Sequence, residues 1–428
     1  MEKSEGASGK EFTSKNKVKV IYKKIPDFHS VAVGVFVKVG SRTEDEEISG
    51  ISHFVEHILF KGTKKRTSNQ IKEEIEGVGG MFNAFTSEEA TCYWIKILDE
   101  YLEKTFDVLS DMIENPALKK EDIEKERAVI LEEIKMYKDI PAKYVHEIFD
   151  SMLFEGHHLG RPIAGTEETV KKITKEDMEK YMNELYGSSN IVISVAGNFS
   201  ENKIRDLSKK YFKLRNGRKI TFPKWQGNES GPKVKVLKKD TEQTHIVIGG
   251  LGYSREDNRK YPLCVLNTIL GGNMSSRLFN KIREEMGLAY EIGSFIRNYT
   301  DTGAFIISAG VKHSNSLKAT EAIIGELVKI RNEGVNDDEI ERSKKYLISH
   351  TLMGLEGNLE YMMFLGEQRL LREKITSVEE IRKKIEEVTK EDVKEVAEQL
   401  FTQKNFYLAM ISPYGEGKKF LKITDELK

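Results

Sequence analysis

Three residues in one short stretch have the types and spacing to hold a metal ion and use it. His53, Glu56 and His57 lie in SGISHFVEHILFKGT, with apolar residues at Ile51, Phe54, Val55, Ile58 and Leu59 and a helix-stop signal at Lys61-Gly62. That periodicity predicts a helix. On it, two histidines four apart share one face and can grip one ion at ~2.0–2.1 Å. Glu56, three after His53, borders the same face and can reach a water on the ion without ligating it. The chemistry predicted is hydrolysis: zinc acidifies water and polarises a carbonyl, and a carboxylate moves the proton. Histidines at this spacing also arise by chance. Here the chain has only 9 histidines, and two of them sit with an acid inside an apolar helix face. Three uncompensated polar groups buried there would be costly.

A catalytic zinc site needs a third protein ligand and an open position. The candidates lie on EDIEKERAVILEEIKMYK, starting at Glu121, where Glu126 and Glu133 are seven apart and share a face two turns apart. Val129, Ile130 and Tyr137 are expected on that face too. A solvated acidic helix with Glu–Lys pairs accounts for Glu121, Glu124 and Glu132, but poorly for Glu126 and Glu133. The spacing of the histidine stretch is the inverse of His-Glu-x-x-His and is a known peptidase signature.

The elements that position these residues come in two copies. Thr174-Lys-Glu-Asp177 recurs as Thr389-Lys-Glu-Asp392, an offset of 215. Each copy reads as a helix start with Thr as N-cap, and each helix leads to an apolar strand, Asn190-IVISVAG or Asn405-FYLAMIS. Upstream, KKEDIEKERAVILEEI matches NDDEIERSKKYLISHT at an offset of 217. The expected architecture is α+β: two homologous α/β sandwich domains, each a mainly antiparallel sheet with helices packed on it. The expected boundaries are 12–213 for the first domain, 214–233 for a Gly-, Pro- and Lys-rich linker, and 234–428 for the second. Val31, Val33, Val35, Val37 and Val39 alternate as in a half-buried strand. Gly79-Gly80 reads as a turn into one or two strands, and LEKTFDVLSDMI from Leu102 as an amphipathic helix.

Bulk properties narrow the function classes. A chain of 428 residues exceeds the ~250–300 at which one core stops growing. With 68 basic and 69 acidic residues, no global field recruits nucleic acid or an anionic membrane. No apolar run is long enough for a membrane span, and the first twelve residues contain no apolar stretch of signal-peptide type. Two distant cysteines, Cys92 and Cys264, in apolar contexts predict buried thiols rather than a disulfide scaffold, which makes the cytoplasm the expected compartment. His146 is read as a surface or packing residue and His157-His158 as loop packing.

Taken together, these stretches resemble the pitrilysin (insulinase) family of zinc metallopeptidases, in its short branch. His53-Phe-Val-Glu56-His57 is followed 76 residues later by Glu133, and Glu126-RAVILEEI resembles the family's second acidic block. The resemblance implies His53, His57 and Glu133 as ligands of one Zn2+ per chain, Glu56 as general base and Glu126 as a supporting acid. Gly79-GMFNAFT resembles the family's edge strand, with Asn83 and Ala84 facing substrate backbone. Arg283-EEMGLA-Tyr290 resembles an Arg–Tyr pair that binds substrate. At the 217 offset, His53, His57 and Glu133 map to Leu270, Met274 and His350, so the second domain is expected to lack a metal site. The implied activity is endopeptidase cleavage of oligopeptides or unfolded segments inside a chamber. The implied assembly is a homodimer with composite sites, zinc from one chain and Arg283 and Tyr290 from the other. The competing reading is a non-catalytic structural subunit similar to respiratory-chain core proteins, whose zinc motif is generally incomplete.

Overall fold

The computed structural model describes residues 9–227, 231–415 and 417–428. They form two compact units. The first gathers the described residues up to Lys135 with Arg161–Pro223 and Leu352–Val378. The second gathers Met136–Gly160, the described residues of Lys224–Thr351, and Glu379–Lys428.

In the first unit a six-stranded sheet is built from β1 (Lys10–Thr13), β2 (Lys19–Lys24), β3 (Ser30–Val37), β4 (Met81–Thr86), β5 (Thr91–Leu98) and β6 (Ile191–Gly197), in the order β1-β2-β6-β3-β5-β4. Only β2 and β6 run parallel; the other neighbours are antiparallel. In the second unit, β7 (Lys233–Lys238), β8 (Thr244–Gly252), β9 (Ala289–Asn298), β10 (Gly303–Val311) and β11 (Tyr407–Ser412) take the order β7-β11-β8-β10-β9, with β7 and β11 parallel. This is the order β2-β6-β3-β5-β4 repeated, so the sequence repeat is also a topological one. The Thr174 and Thr389 helices start with matching reciprocal caps: each Thr hydroxyl accepts from the backbone N–H of the third helical residue, and that Asp's carboxylate accepts from the Thr N–H. No helix among the described residues is long and apolar enough to cross a membrane.

The units differ from the consecutive division 12–213, 214–233 and 234–428. The helices Pro141–Leu153 and Asn358–Leu371 hold equivalent places in the two repeats, 217 residues apart, and each belongs to the other repeat's unit. Pro141–Leu153 rests on β8 and β11; Asn358–Leu371 rests on β2, β3 and β6. An apolar helix face declares that it will be buried, not against which sheet. The stretch read as a linker forms no regular element from Phe212 through its described residues up to Pro232, but it is anchored. Ile220 and Phe222 join the first unit's core, while the Trp225 ring packs edge-on to Phe154 at 5.3 Å in the second.

The exchange also explains β3. Its residues are buried on both faces rather than one, Ala32 and Phe36 as fully as the valines. Asn358–Leu371 covers the second face closely: a Cβ on Gly34 would lie 2.4 Å from Met362 Sδ, and one on Gly366 would lie 2.1 Å from the Phe36 ring. Glycine at both positions lets backbone and helix approach.

Candidate metal centre

The His53 helix spans Ile51–Leu59. Ile51, Phe54, Val55, Ile58 and Leu59 are at most 2% exposed, and each such burial contributes roughly 1.5–3 kcal/mol to holding the helix in place. Its start is fixed by a residue the sequence did not reveal. The buried Glu44 carboxylate accepts from the Gly50 N–H at 2.7 Å and the Ser52 N–H at 2.9 Å, occupying the open first turn. Burial pushes the Glu44 carboxyl up in pKa, and these backbone bonds oppose the rise. Gly50 has φ +95°, a conformation that a side chain resists, and a Cβ there would strike Ala164 O.

On this helix the two imidazoles stand 4.6 Å apart between ring centroids. The second acidic helix, Lys120–Asp139, brings Glu133 Oε2 to 3.8 Å from His53 Nε2 and 3.6 Å from His57 Nε2. The donors of a tetrahedral ion bound at ~2.0–2.1 Å stand about 3.3 Å apart; the Glu133 oxygen is close to that spacing from both rings, and one ligand atom from each of the three residues lies within 4.8 Å of the others. Among the described residues, no other group of three imidazole, thiol or carboxylate side chains converges this closely. The donor set of two imidazoles and one carboxylate suits zinc.

The remaining atoms are arranged to support that use. His57 Nδ1 lies 3.2 Å from Glu126 Oε2, so with the proton on Nδ1 the Nε2 lone pair is directed at the trio. Glu126 is 6% exposed, and its other oxygen meets Lys61 Nζ at 2.6 Å. Burial, with the neighbouring His57 adding to it, holds the His53 pKa down at about 4, leaving the neutral ring a metal requires. Its Nδ1 is buried without a hydrogen-bond partner. Glu56 points elsewhere: its Oε2 accepts from the Thr86 hydroxyl at 2.5 Å. Burial raises the Glu56 pKa, the Thr86 bond works against the rise, and the Glu133 charge adds to it.

The face expected on the acidic helix is narrower than its sequence suggested. Ile130 is buried with Glu126, but Val129 is 49% exposed. Asn83 and Ala84 lie on β4, which is the edge strand. The Asn83 side chain accepts from the Ala84 N–H, and Ala84 is half-buried opposite Tyr93. Arg283 and Tyr290 belong to the second unit. Arg283 sits in a π-helical turn, Phe279–Glu285, with its guanidinium 4.6 Å from the Phe279 ring and 5.4 Å from the Tyr290 ring. Tyr290 is 78% exposed. His157 packs edge-on to Trp225 at 5.4 Å and His146 lies beside Phe295, as packing roles require. Cys92 is buried, Cys264 is partly so, and both are free thiols.

Thr86, Glu44 and Lys61 were not singled out from the sequence. Thr86 lies inside the GMFNAFT block, and Lys61 read only as a helix stop. Their roles come from contacts between distant elements, which no local pattern encodes.

Scaffold and donor set together define a class: a two-unit, zinc-protease-like protein. The chain belongs to the insulinase family, peptidase family M16. The model for Insulinase (Peptidase family M16) matches residues 19–167, and that for the Peptidase M16 inactive domain matches residues 172–347. An uncharacterized zinc protease of Bacillus subtilis, YmxG, is 38% identical over 95% of this chain and 98% of its own length. One from Mycobacterium leprae is 35% identical over 94% and 91%. Among solved structures, a protease from Helicobacter pylori superposes with a TM-score of 0.89 at 22% identity, covering 95% of this chain and 99% of the other. A chain of complex III2 from Candida albicans superposes with 0.83 at 18%, covering 98% and 99%. At these identities the two structures speak to the fold alone. The names of the sequence relatives imply zinc.

Proposed function

We propose that this protein is a zinc-dependent endopeptidase in which His53, His57 and Glu133 hold one Zn2+ per chain and Glu56 is the general base. The observation that carries the reading is the convergence of His53 Nε2, His57 Nε2 and Glu133 Oε2, with Glu56 held apart from them by Thr86. Zinc, when bound, supplies a Lewis acid that polarises a carbonyl and makes water more acidic. The proton work falls to Glu56. Its Oε2 is engaged by Thr86, so Oε1 is the atom that takes the proton from the attacking water and delivers it to the leaving amine. Glu126 keeps His57 in its working tautomer, and Lys61 neutralises Glu126. The free edge of β4, with Asn83 and Ala84, offers backbone donors and acceptors to an extended peptide, which favours oligopeptides and unfolded segments. Arg283 and Tyr290 bind substrate from the second unit of a partner copy, in a homodimer chamber with composite sites.

The test couples metal content to turnover. Glu56→Gln should retain one zinc per chain by mass spectrometry while hydrolysis of a quenched peptide library falls at least ~10²–10⁴-fold. Cleavage that survives chelation, or survives Glu56→Gln, refutes the reading. The second reading is a non-catalytic structural or assembly subunit resembling respiratory-chain core proteins. That alternative leaves the Thr86-held Glu56 without a task, and it requires zinc-loaded protein to cut no peptide.

A further inference from the structure

The two helices that carry the trio are tied together outside the metal centre. The Ile51–Leu59 helix leaves through residues 61–64, and residues 116–119 lead into the Lys120–Asp139 helix. These two segments are bonded to each other. The Ala117 N–H donates to Gly62 O at 3.1 Å, the Lys64 N–H donates to Asn115 O at 2.9 Å, and Thr63 and Pro116 form an antiparallel bridge. The junction is strained: Leu118, 6% exposed, is held at φ +43°, a conformation that a side chain resists. Such strain persists only where the surrounding structure holds it, and it gathers at functional places.

A cleft of about 540 Å³ lies against this junction. Ile113, Leu118 and Leu214 give it an apolar wall. Its charges are Lys64, Lys175, Lys213 and Arg215 with Glu114 and Glu179. Lys175 and Glu179 offset one another at 3.5 Å on one helix. Glu114 is the inner group: its two oxygens accept from the Lys213 N–H at 2.9 and 3.2 Å, and burial pushes its carboxyl up in pKa. Arg215 is steadied by the Asn183 side-chain oxygen. Among the described residues, no carboxylate stands within ion-pairing distance of the Lys64 or Lys213 ammonium. Lys64, Lys213 and Arg215 thus face Glu114 alone, an excess of two positive charges in a concave site.

We propose that this cleft binds a small organic dianion, and that the bound anion stiffens the junction and slows the loss of zinc from the trio. Lys64, Lys213 and Arg215 meet the anionic oxygens, and the apolar wall takes the carbon body. Glu114 at the inner end disfavours a longer polyanion. Lys64 belongs to the exit of the His53 helix, whereas Lys213 is anchored through its N–H to Glu114. An anion bridging the two lysines therefore pins residues 61–64. From there the path to the trio is short: Lys61 meets Glu126 at 2.6 Å, and Glu126 lies 3.2 Å from His57. The coupling is reciprocal, so zinc-loaded protein binds the anion more tightly by the same factor.

Isothermal titration calorimetry of the zinc-loaded full chain should show saturable binding of succinate, about tenfold tighter than neutral succinamide at matched ionic strength. Glycerol 3-phosphate carries the same charge on a different head group. Binding of both probes assigns a general dianion site, binding of one alone names its head group, and binding of neither overturns the cleft. Lys64→Gln combined with Lys213→Gln should weaken binding about tenfold. Both side chains are exposed, so folding tolerates the change. Undiminished binding by this variant also overturns the cleft. The second readout is zinc release to the dye 4-(2-pyridylazo)resorcinol. Whichever probe binds should, at saturation, slow release about fivefold in the unsubstituted protein and leave the double variant unchanged. An unaltered rate, or equal slowing in the double variant, overturns the coupling. The coupling rests on the reading of the trio as the zinc site, and the binding does not. A chain that takes up no zinc fails the proposed function, while calorimetry on it still decides the cleft.

Discussion

Thr86 is the residue whose role is most open to measurement. A threonine hydroxyl donating to a carboxylate is a charge-assisted bond, and here it fixes one oxygen of Glu56 and frees the other. Thr86→Val keeps the shape and removes the donor. Its kcat should fall about tenfold to a hundredfold with KM and zinc content little changed, and Thr86→Ser should restore most of the loss. A fall in KM-linked binding instead, or no rescue by serine, would show the hydroxyl to be merely structural. His146 gives a second, independent test. Burial, reinforced by the Arg297 charge, holds its pKa at about 4, below the ordinary value near 6.5. The unfolded chain therefore takes up this proton first. Stability linked to His146 is complete above pH 6.5 and is lost as pH falls towards 4, by up to about 3 kcal/mol. His146→Phe should remove that part of the acid sensitivity, seen as a smaller fall in Tm between pH 7 and 4. At this scale helical spacing aligned His53 with His57 and Glu126 with Glu133, but the choice of Glu133 over Glu126 as the third ligand came from the family resemblance, because spacing within each helix does not say which glutamate meets the histidines. Thr86 was not legible, because a strand-to-helix contact across 30 residues leaves no periodic trace.

At the scale of elements, the repeat was readable and its exchange was not. Matching caps at Thr174 and Thr389, and the apolar strands that follow, recur at a fixed offset because each repeat must build the same sheet. The helices Pro141–Leu153 and Asn358–Leu371 carry ordinary amphipathic patterns, and the partner sheet of each is set only in three dimensions. The valine alternation of β3 pointed to one buried face. What it lacked was the sign that Ala32, Gly34 and Phe36 would lie under a helix. That covering is testable at Gly366, where even one added carbon meets the Phe36 ring. Gly366→Leu overpacks a contact with no room to yield and should cost about 1–3 kcal/mol, measured as a lower urea midpoint with an unchanged slope. Phe36→Ala in the same background should recover part of the loss. A neutral Gly366→Leu would mean that the helix does not press on β3.

At the scale of the whole molecule, the metal trio and the Arg283–Tyr290 pair are divided between two units of one chain. The repeat accounts for this division: the second copy keeps the sheet order while, among the described residues, only the first carries the trio. If each active site draws its zinc from one chain and Arg283 from a partner, the two defects Glu56→Gln and Arg283→Ala lie in different halves of each composite site. Either variant alone is then inactive or strongly impaired at both sites of its own homodimer. Mixing and re-equilibrating equal amounts makes half the dimers mixed. Each mixed dimer has one site with both residues intact and one with both altered. Activity should therefore recover to about a quarter of the unsubstituted level, and the recovery should disappear on dilution below the dimer dissociation constant. Both substitutions sit on side chains outside the hydrophobic cores, so each variant should fold and, by zinc content, load normally. If the site instead took all its groups from one chain, every site in the mixture would carry one defect and mixing would restore nothing. The same absence of recovery would also follow from a monomer, which sedimentation of the unsubstituted protein identifies directly.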